Sequence, residues 1–123
     1  MIKLIISSSV GTPAYTQLYE QITAQIIRGD ILPDACLPSI RGVANELKIS
    51  VITVKSAYDL LEKEGYIYTV QGKGCFVKGV ENAEKEKTRL AEKRLREDLK
   101  YYADIGMTKE EFISVAEKIY PER

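Results

Sequence analysis

Apolar residues recur at three- and four-residue steps early in the chain: Tyr15, Leu18, Tyr19, Ile22 and Ile26 form one stripe. That spacing predicts a helix with one face on a core. Thr12 is placed to cap it, Pro13 to fill its first position and Gly29 to end it. The apolar run over residues 2–6 reads as a short strand, with a disordered leader as the alternative. Residues 30–38 hold two prolines and no periodicity, which predicts a connector. Ser39 caps a short second helix through Leu47, with Val43, Ala44 and Leu47 inward. Lys48-Ile49 makes a tight turn. Ser50 then caps a third helix to about Glu64, whose inward stripe is Val54, Ala57, Tyr58 and Leu61.

Beyond Gly65 the pattern changes. Residues 66–70 and 75–77 are β-branched and aromatic runs joined by Gln71-Gly72-Lys73-Gly74, the signature of a β-hairpin. After Gly79 the composition shifts, and residues 82–100 are dense in Glu, Lys and Arg. Leu90, Ala91, Leu95, Leu99 and Tyr102 lie on one stripe of this fourth helix, which Gly106 breaks. Thr108 with Glu111 forms a capping box for a fifth helix bearing Phe112, Val115, Ala116 and Ile119. Pro121 closes it. The expected fold is mainly α with a small β-hairpin: a winged helix-turn-helix over residues 1–78 and a two-helix module over 79–123.

Composition narrows the chemistry. The chain has 123 residues, 18 Lys+Arg, 18 Asp+Glu and no His. This length supports one core domain with a small appendage. Without His there is no Ser–His or Cys–His nucleophile pair and no His-based zinc or iron site. No catalytic constellation is present, so neither enzymatic activity nor a metal or cofactor is expected. Cys36 and Cys75 lack a CxxC partner, which removes the zinc ribbon and the redox motif. The apolar start is too short for a signal-peptide core or a membrane span. A cytoplasmic protein with reduced thiols and no membrane partner is therefore expected.

Two short helices joined by three or four residues and followed by a hairpin fit the geometry of DNA. The second helix enters the major groove and presents its N-terminal residues to base edges. The inward stripe leaves Val51, Thr53, Lys55 and Ser56 to face outward. Gly72-Lys73-Gly74 at the hairpin tip carries no bulky side chain, so its backbone can approach a minor groove with Lys73 adding charge. Each feature has a plainer explanation: two packed helices, a tight hairpin, and Ser39 and Ser50 as caps. The two glycines flanking Lys73 are only a weak match to a phosphate loop, because Gly74 is followed by Cys75 where Ser or Thr is needed.

Several segments, in order and correctly spaced over residues 12–77, tip this balance. They are Pro13-Ala14-Tyr15-Thr16-Gln17-Leu18, Gly29-Asp30-Ile31-Leu32-Pro33, Leu37-Pro38-Ser39-Ile40-Arg41 and Leu47-Lys48-Ile49-Ser50. They continue as Thr53-Val54, Ala57-Tyr58, Leu60-Leu61, Glu64-Gly65 and Gly72-Lys73-Gly74-Cys75-Phe76-Val77. This series resembles the DNA-binding domain of GntR-family transcription regulators, and the tail of about 45 residues resembles the YtrA-like subgroup. The resemblance implies a DNA contact at Arg41, phosphate contacts at Ser39 and Ser50, a recognition-helix contact at Thr53 and a wing tip at Gly72. It also implies that the C-terminal helices serve dimerisation, with no room for the effector domain of larger subgroups. Two positions depart from the family pattern. Val51 stands where Arg usually follows the capping Ser and offers only apolar contact, for example to a thymine methyl. Asp34 stands where Gly normally follows Pro33.

Charge placement matters more than its total. Residues 1–80 carry 8 Lys+Arg and 7 Asp+Glu, net +1; residues 81–123 carry 10 and 11, net −1. Arg41, Lys48, Lys55 and Lys73 are expected on the DNA side, with Glu46, Asp59, Glu62 and Glu64 farther round. Such sparse charge predicts a shallow salt dependence, on the order of −0.9 per phosphate neutralised. A single domain reads few base pairs, whereas a two-fold dimer reads a palindrome. Leu95, Leu99, Tyr102, Phe112, Val115 and Ile119 are the expected dimer contacts; the alternative is that these helices fold back on the amino-terminal domain. The expected function is a DNA-binding repressor acting as a homodimer on a palindromic operator. A small-molecule effector would act between the modules or at the dimer seam, and no residue identifies it. The alternative is a winged-helix protein–protein module without DNA binding, which Val51 favours.

Overall fold

The computed structural model describes residues 2–121. Five helices and two strands follow in the order α1 (Ala14–Arg28), α2 (Ile40–Leu47), α3 (Val51–Lys63), β1 (Ile67–Val70), β2 (Gly74–Val77), α4 (Ala83–Asp104) and α5 (Lys109–Ile119). The chain divides into two compact units, residues 1–83 and 84–123.

The first unit packs its three helices and hairpin around one core. Leu18 and Ile22 of α1, Val43 of α2, Val54 and Leu61 of α3 and Val77 of β2 are fully buried. Those on the helices are inward positions that the periodicity predicts; of the other predicted positions, Tyr19 and Leu47 are half-buried and Tyr15 is 40% exposed. Tyr15 sits in the first turn of its helix, short of the packed section. Thr12 does not cap α1 either: Pro13 is the N-cap, and its carbonyl accepts from the Thr16 and Gln17 amides at 3.1 Å each. The Thr12 carbonyl is engaged by the Gln17 side chain instead.

Residues 2–6 do not form a strand. They are extended, with Ile2, Leu4 and Ile6 packed against the core, but their partners are side chains. Gln25 donates to the Lys3 carbonyl; Gln21 accepts from the Ile5 amide and donates back to its carbonyl. Gln17 does the same for Ser7. Glutamines at four-residue steps fall on one helix face, and residues 3, 5 and 7 fall on one strand edge. The two periods match, so a helix supplies what a neighbouring strand normally would.

The hairpin pairs antiparallel, Ile67 opposite Val77 through Val70 opposite Gly74. Each strand is shifted by one residue from the predicted limits: Tyr66 lies outside β1 and Gly74 inside β2. The connector adds to this sheet. Asp34 donates to the Val77 carbonyl at 2.7 Å, Leu37 donates to Cys75 at 2.8 Å, and Cys36 forms a bridge opposite Phe76. Asp34 takes a left-handed conformation at φ 66° and accepts from the Tyr68 hydroxyl at 2.8 Å. Asp34 thus turns the connector and adds a tie to the wing.

In the second unit, α4 runs four residues past Lys100 and α5 begins at a capping box, with Thr108 and Glu111 each bonding the other's amide. The Thr108 amide and hydroxyl hold the Glu111 carboxyl below its ordinary pKa. Neither helix has a buried residue.

Candidate nucleic-acid interface

Capping fixes where the two helices of the motif begin. The Ser39 hydroxyl accepts from the Gly42 amide at 3.0 Å, and a Cβ on Gly42 would stand 2.9 Å from that oxygen. A side chain at that position would press on the Ser39 hydroxyl. A three-residue turn follows α2, with Lys48 left-handed at φ 57°. Ser50 then accepts from the Thr53 amide at 3.0 Å and shares a 2.6 Å hydroxyl contact with Thr53. From inside the core the Tyr58 hydroxyl donates to the Pro38 carbonyl at 2.7 Å, tying α3 to the start of α2. Burial pushes that hydroxyl well above the ordinary tyrosine pKa.

The predicted contact residues fall on three elements of this unit. Ser39 and Arg41 lie at the start of α2, Ser50, Val51, Thr53 and Lys55 in the first turns of α3, and Gly72 and Lys73 at the hairpin tip. All are exposed except Thr53, which is half-buried. Arg41 has no ion pair or hydrogen bond among the described residues. Lys55 does: it is 2.8 Å from Asp59, one turn on, and that hydrogen bond raises the lysine pKa. Asp59 therefore shares the outward face with Lys55, contrary to the placement expected from charge, because four-residue spacing keeps both on one side. At the tip, Lys73 donates to the Val70 carbonyl at 2.9 Å around Gly72, whose φ of 78° favours glycine.

Ile52 is absent from the predicted set, yet it is 76% exposed, against 41% for Val51. At about 100° per residue it lies nearly opposite the Val54–Ala57–Tyr58–Leu61 stripe. The helical period contained this signal, which its aliphatic side chain obscured.

The predicted dimer contacts lie in the second unit. Tyr102 stacks on Phe112 with ring centres 5.9 Å apart. Beside them Val115 and Ile119 help line an open cavity of about 360 Å³ that also includes Met107 and Ala116. Leu95 and Leu99 are exposed on α4 and do not line it. Among the described residues no group of His, Cys, Asp or Glu is arranged to hold a metal, and no helix is long and apolar enough to cross a membrane.

Residues 14–77 match the model of bacterial regulatory proteins of the gntR family. The chain belongs to the GntR family. The transcriptional repressor YtrA of Bacillus subtilis is 33% identical over 108 residues, covering 80% of this chain and 79% of YtrA. Among solved structures, a GntR family transcriptional regulator from Listeria monocytogenes superposes with a TM-score of 0.72 and 26% identity, covering 93% of this chain and 99% of that one. The DNA-binding domain of AraR in complex with operator ORX1 aligns at a TM-score of 0.55 and 30% identity, over 62% of this chain and 95% of that domain. Other curated relatives match over 53% to 60% of this chain, which spans between 15% and 27% of their length. The GntR regulators and their winged domain account for the element order seen here.

Proposed function

We propose that this GntR-family chain is a sequence-specific DNA-binding repressor that acts as a homodimer on a palindromic operator. Residues 1–78 form the DNA-binding domain, and residues 79–123 the dimerisation module. The observation that carries this reading is the exposed start of α3, capped by Ser50 and tied to α2 through Tyr58 and Pro38. Such a helix is rigid and free to enter a major groove. Arg41 stands unpaired at the start of α2, able to meet a phosphate or a base edge. Ser39 and Ser50 sit for phosphate contact, Thr53, Val51 and Lys55 for the groove, and Gly72 and Lys73 for the flanking minor groove. Similarity to the AraR domain in its operator complex supports the DNA partner, and similarity to the repressor YtrA supports repression. Repression follows from occupancy: a dimer seated on its operator excludes polymerase.

Selection of DNA sites from a random pool by the purified chain, at a stated salt concentration, tests this function. Enrichment of a two-fold symmetric site is expected, and an unenriched pool overturns it. A second reading, a winged-helix module that binds a protein, is favoured by the aliphatic pair Val51 and Ile52 at the tip of α3. Arg41→Ala separates the two: it weakens DNA binding by about tenfold or more under the first and leaves partner binding intact under the second.

A further inference from the structure

We infer that Ile52, with Val51 beside it, is a specificity residue that reads the C5-methyl group of thymine. The inference rests on the DNA-binding function proposed above and names what the tip of α3 recognises. Three observations carry it. Ile52 is 76% exposed in the first turn of α3, nearly opposite the buried stripe, so no element of its own unit claims it. Of its polar neighbours in that turn, Thr53 is half-buried and shares a hydroxyl contact with the capping Ser50, while Lys55, farther along, is paired at the surface with Asp59. Arg41, which has no ion pair among the described residues, belongs to α2. What the first turn of α3 extends outward is therefore mainly two aliphatic side chains.

In the major groove guanine presents two acceptors, cytosine an amino donor and adenine one of each, whereas thymine presents an acceptor and a methyl group. Packing isoleucine on that methyl removes apolar surface from water on both sides. Packing it on the amino group of cytosine would strip a donor of water without replacing the hydrogen bond. Preference thus arises from attraction to one base and from exclusion of another. This differs in kind from arginine at the Val51 position, which reads guanine through two hydrogen bonds.

Deoxyuridine lacks only the methyl group of thymidine, and so isolates this contact. Once a site has been selected, each thymine is replaced in turn by uracil and binding is measured at fixed salt. The expected result is a loss of about fourfold at one or two thymines in each half-site, the worth of one buried methyl group. Ile52→Ala should bring the thymine-to-uracil ratio at such a position close to one, while its melting temperature stays that of the parent because the side chain is exposed. If uracil is harmless throughout a site that the protein still binds, the inference is wrong and the repressor reading stands. If thymine preference survives in the Ile52→Ala, Val51→Ala double variant, other residues read the methyl and the inference is again wrong. A pool without enrichment overturns the repressor reading itself, and this inference falls with it.

Discussion

The two units of this chain use similar helical stripes to opposite ends. In residues 1–83 the stripes of α1, α2 and α3 meet each other and the hairpin, and Leu18, Ile22, Val54, Ala57, Leu61 and Val77 are wholly buried. In residues 84–123 the stripes are just as regular, yet α4 and α5 bury no residue, and Leu95, Val115 and Ile119 remain 44%, 41% and 74% exposed. Two helices have too few faces to enclose a core, whereas three helices and a hairpin have enough. The difference teaches that periodicity identifies an apolar face but not what covers it. In the first unit the cover is internal. In the second the proposed cover is another copy.

Leu61→Ala should produce the largest effect. It empties a fully buried site at the centre of the first unit and should destabilise the fold by about 3 kcal/mol in urea denaturation. Ile119→Ala, in the same assay under dissociating conditions, should change stability by less than about 0.5 kcal/mol. Equal losses at the two positions would abolish the contrast. Phe112→Ala comes next: removal of a stacked ring beside the α5 cavity should weaken self-association by about tenfold or more in analytical ultracentrifugation, with little change in the far-ultraviolet circular dichroism. An unchanged association constant would place the dimer contact elsewhere.

The extended segment at the amino terminus offers a finer test. Gln21→Ala removes both hydrogen bonds to Ile5, which should cost about 1 kcal/mol and expose the Ile5 amide to rapid hydrogen exchange. The amides within α3 should keep their protection. The smallest expected effect is on the alkaline side. Burial raises the Tyr58 pKa, and the hydrogen bond to Asp34 raises that of Tyr68. A group whose folded pKa exceeds its unfolded value, about 10 for tyrosine, contributes its full stability below that pH. The contribution is lost as pH rises above it. Midpoints of denaturation should therefore hold from pH 7 to 9 and fall above about pH 10. Tyr58→Phe should flatten most of that fall, since the Tyr58 ring is buried whereas the Tyr68 hydroxyl is screened by solvent.

Much of this was legible in the residues themselves. Caps at Ser39, Ser50 and Thr108 marked helix starts, and the period of four residues found the buried stripe of α3, because both signals are local. The contacts of residues 2–6 were not legible. Gln17, Gln21 and Gln25 read as an ordinary polar helix face, and only the fold brings an extended segment alongside them. The tie from Asp34 to Tyr68 spans 34 residues and was hidden for the same reason. Ile52 was hidden differently. Its angle on the helix put it outside, but an aliphatic side chain suggests a core position until the rest of the helix is seen to be satisfied.

The claim that joins the two units is that a second copy covers α4 and α5 and thereby sets two winged domains on one operator. Sedimentation equilibrium of the full chain, alone at micromolar concentration and then saturating its selected duplex, measures this directly. The account predicts a dimer when free and two chains per duplex when bound. A monomer that binds the same duplex tightly as a single chain would contradict it.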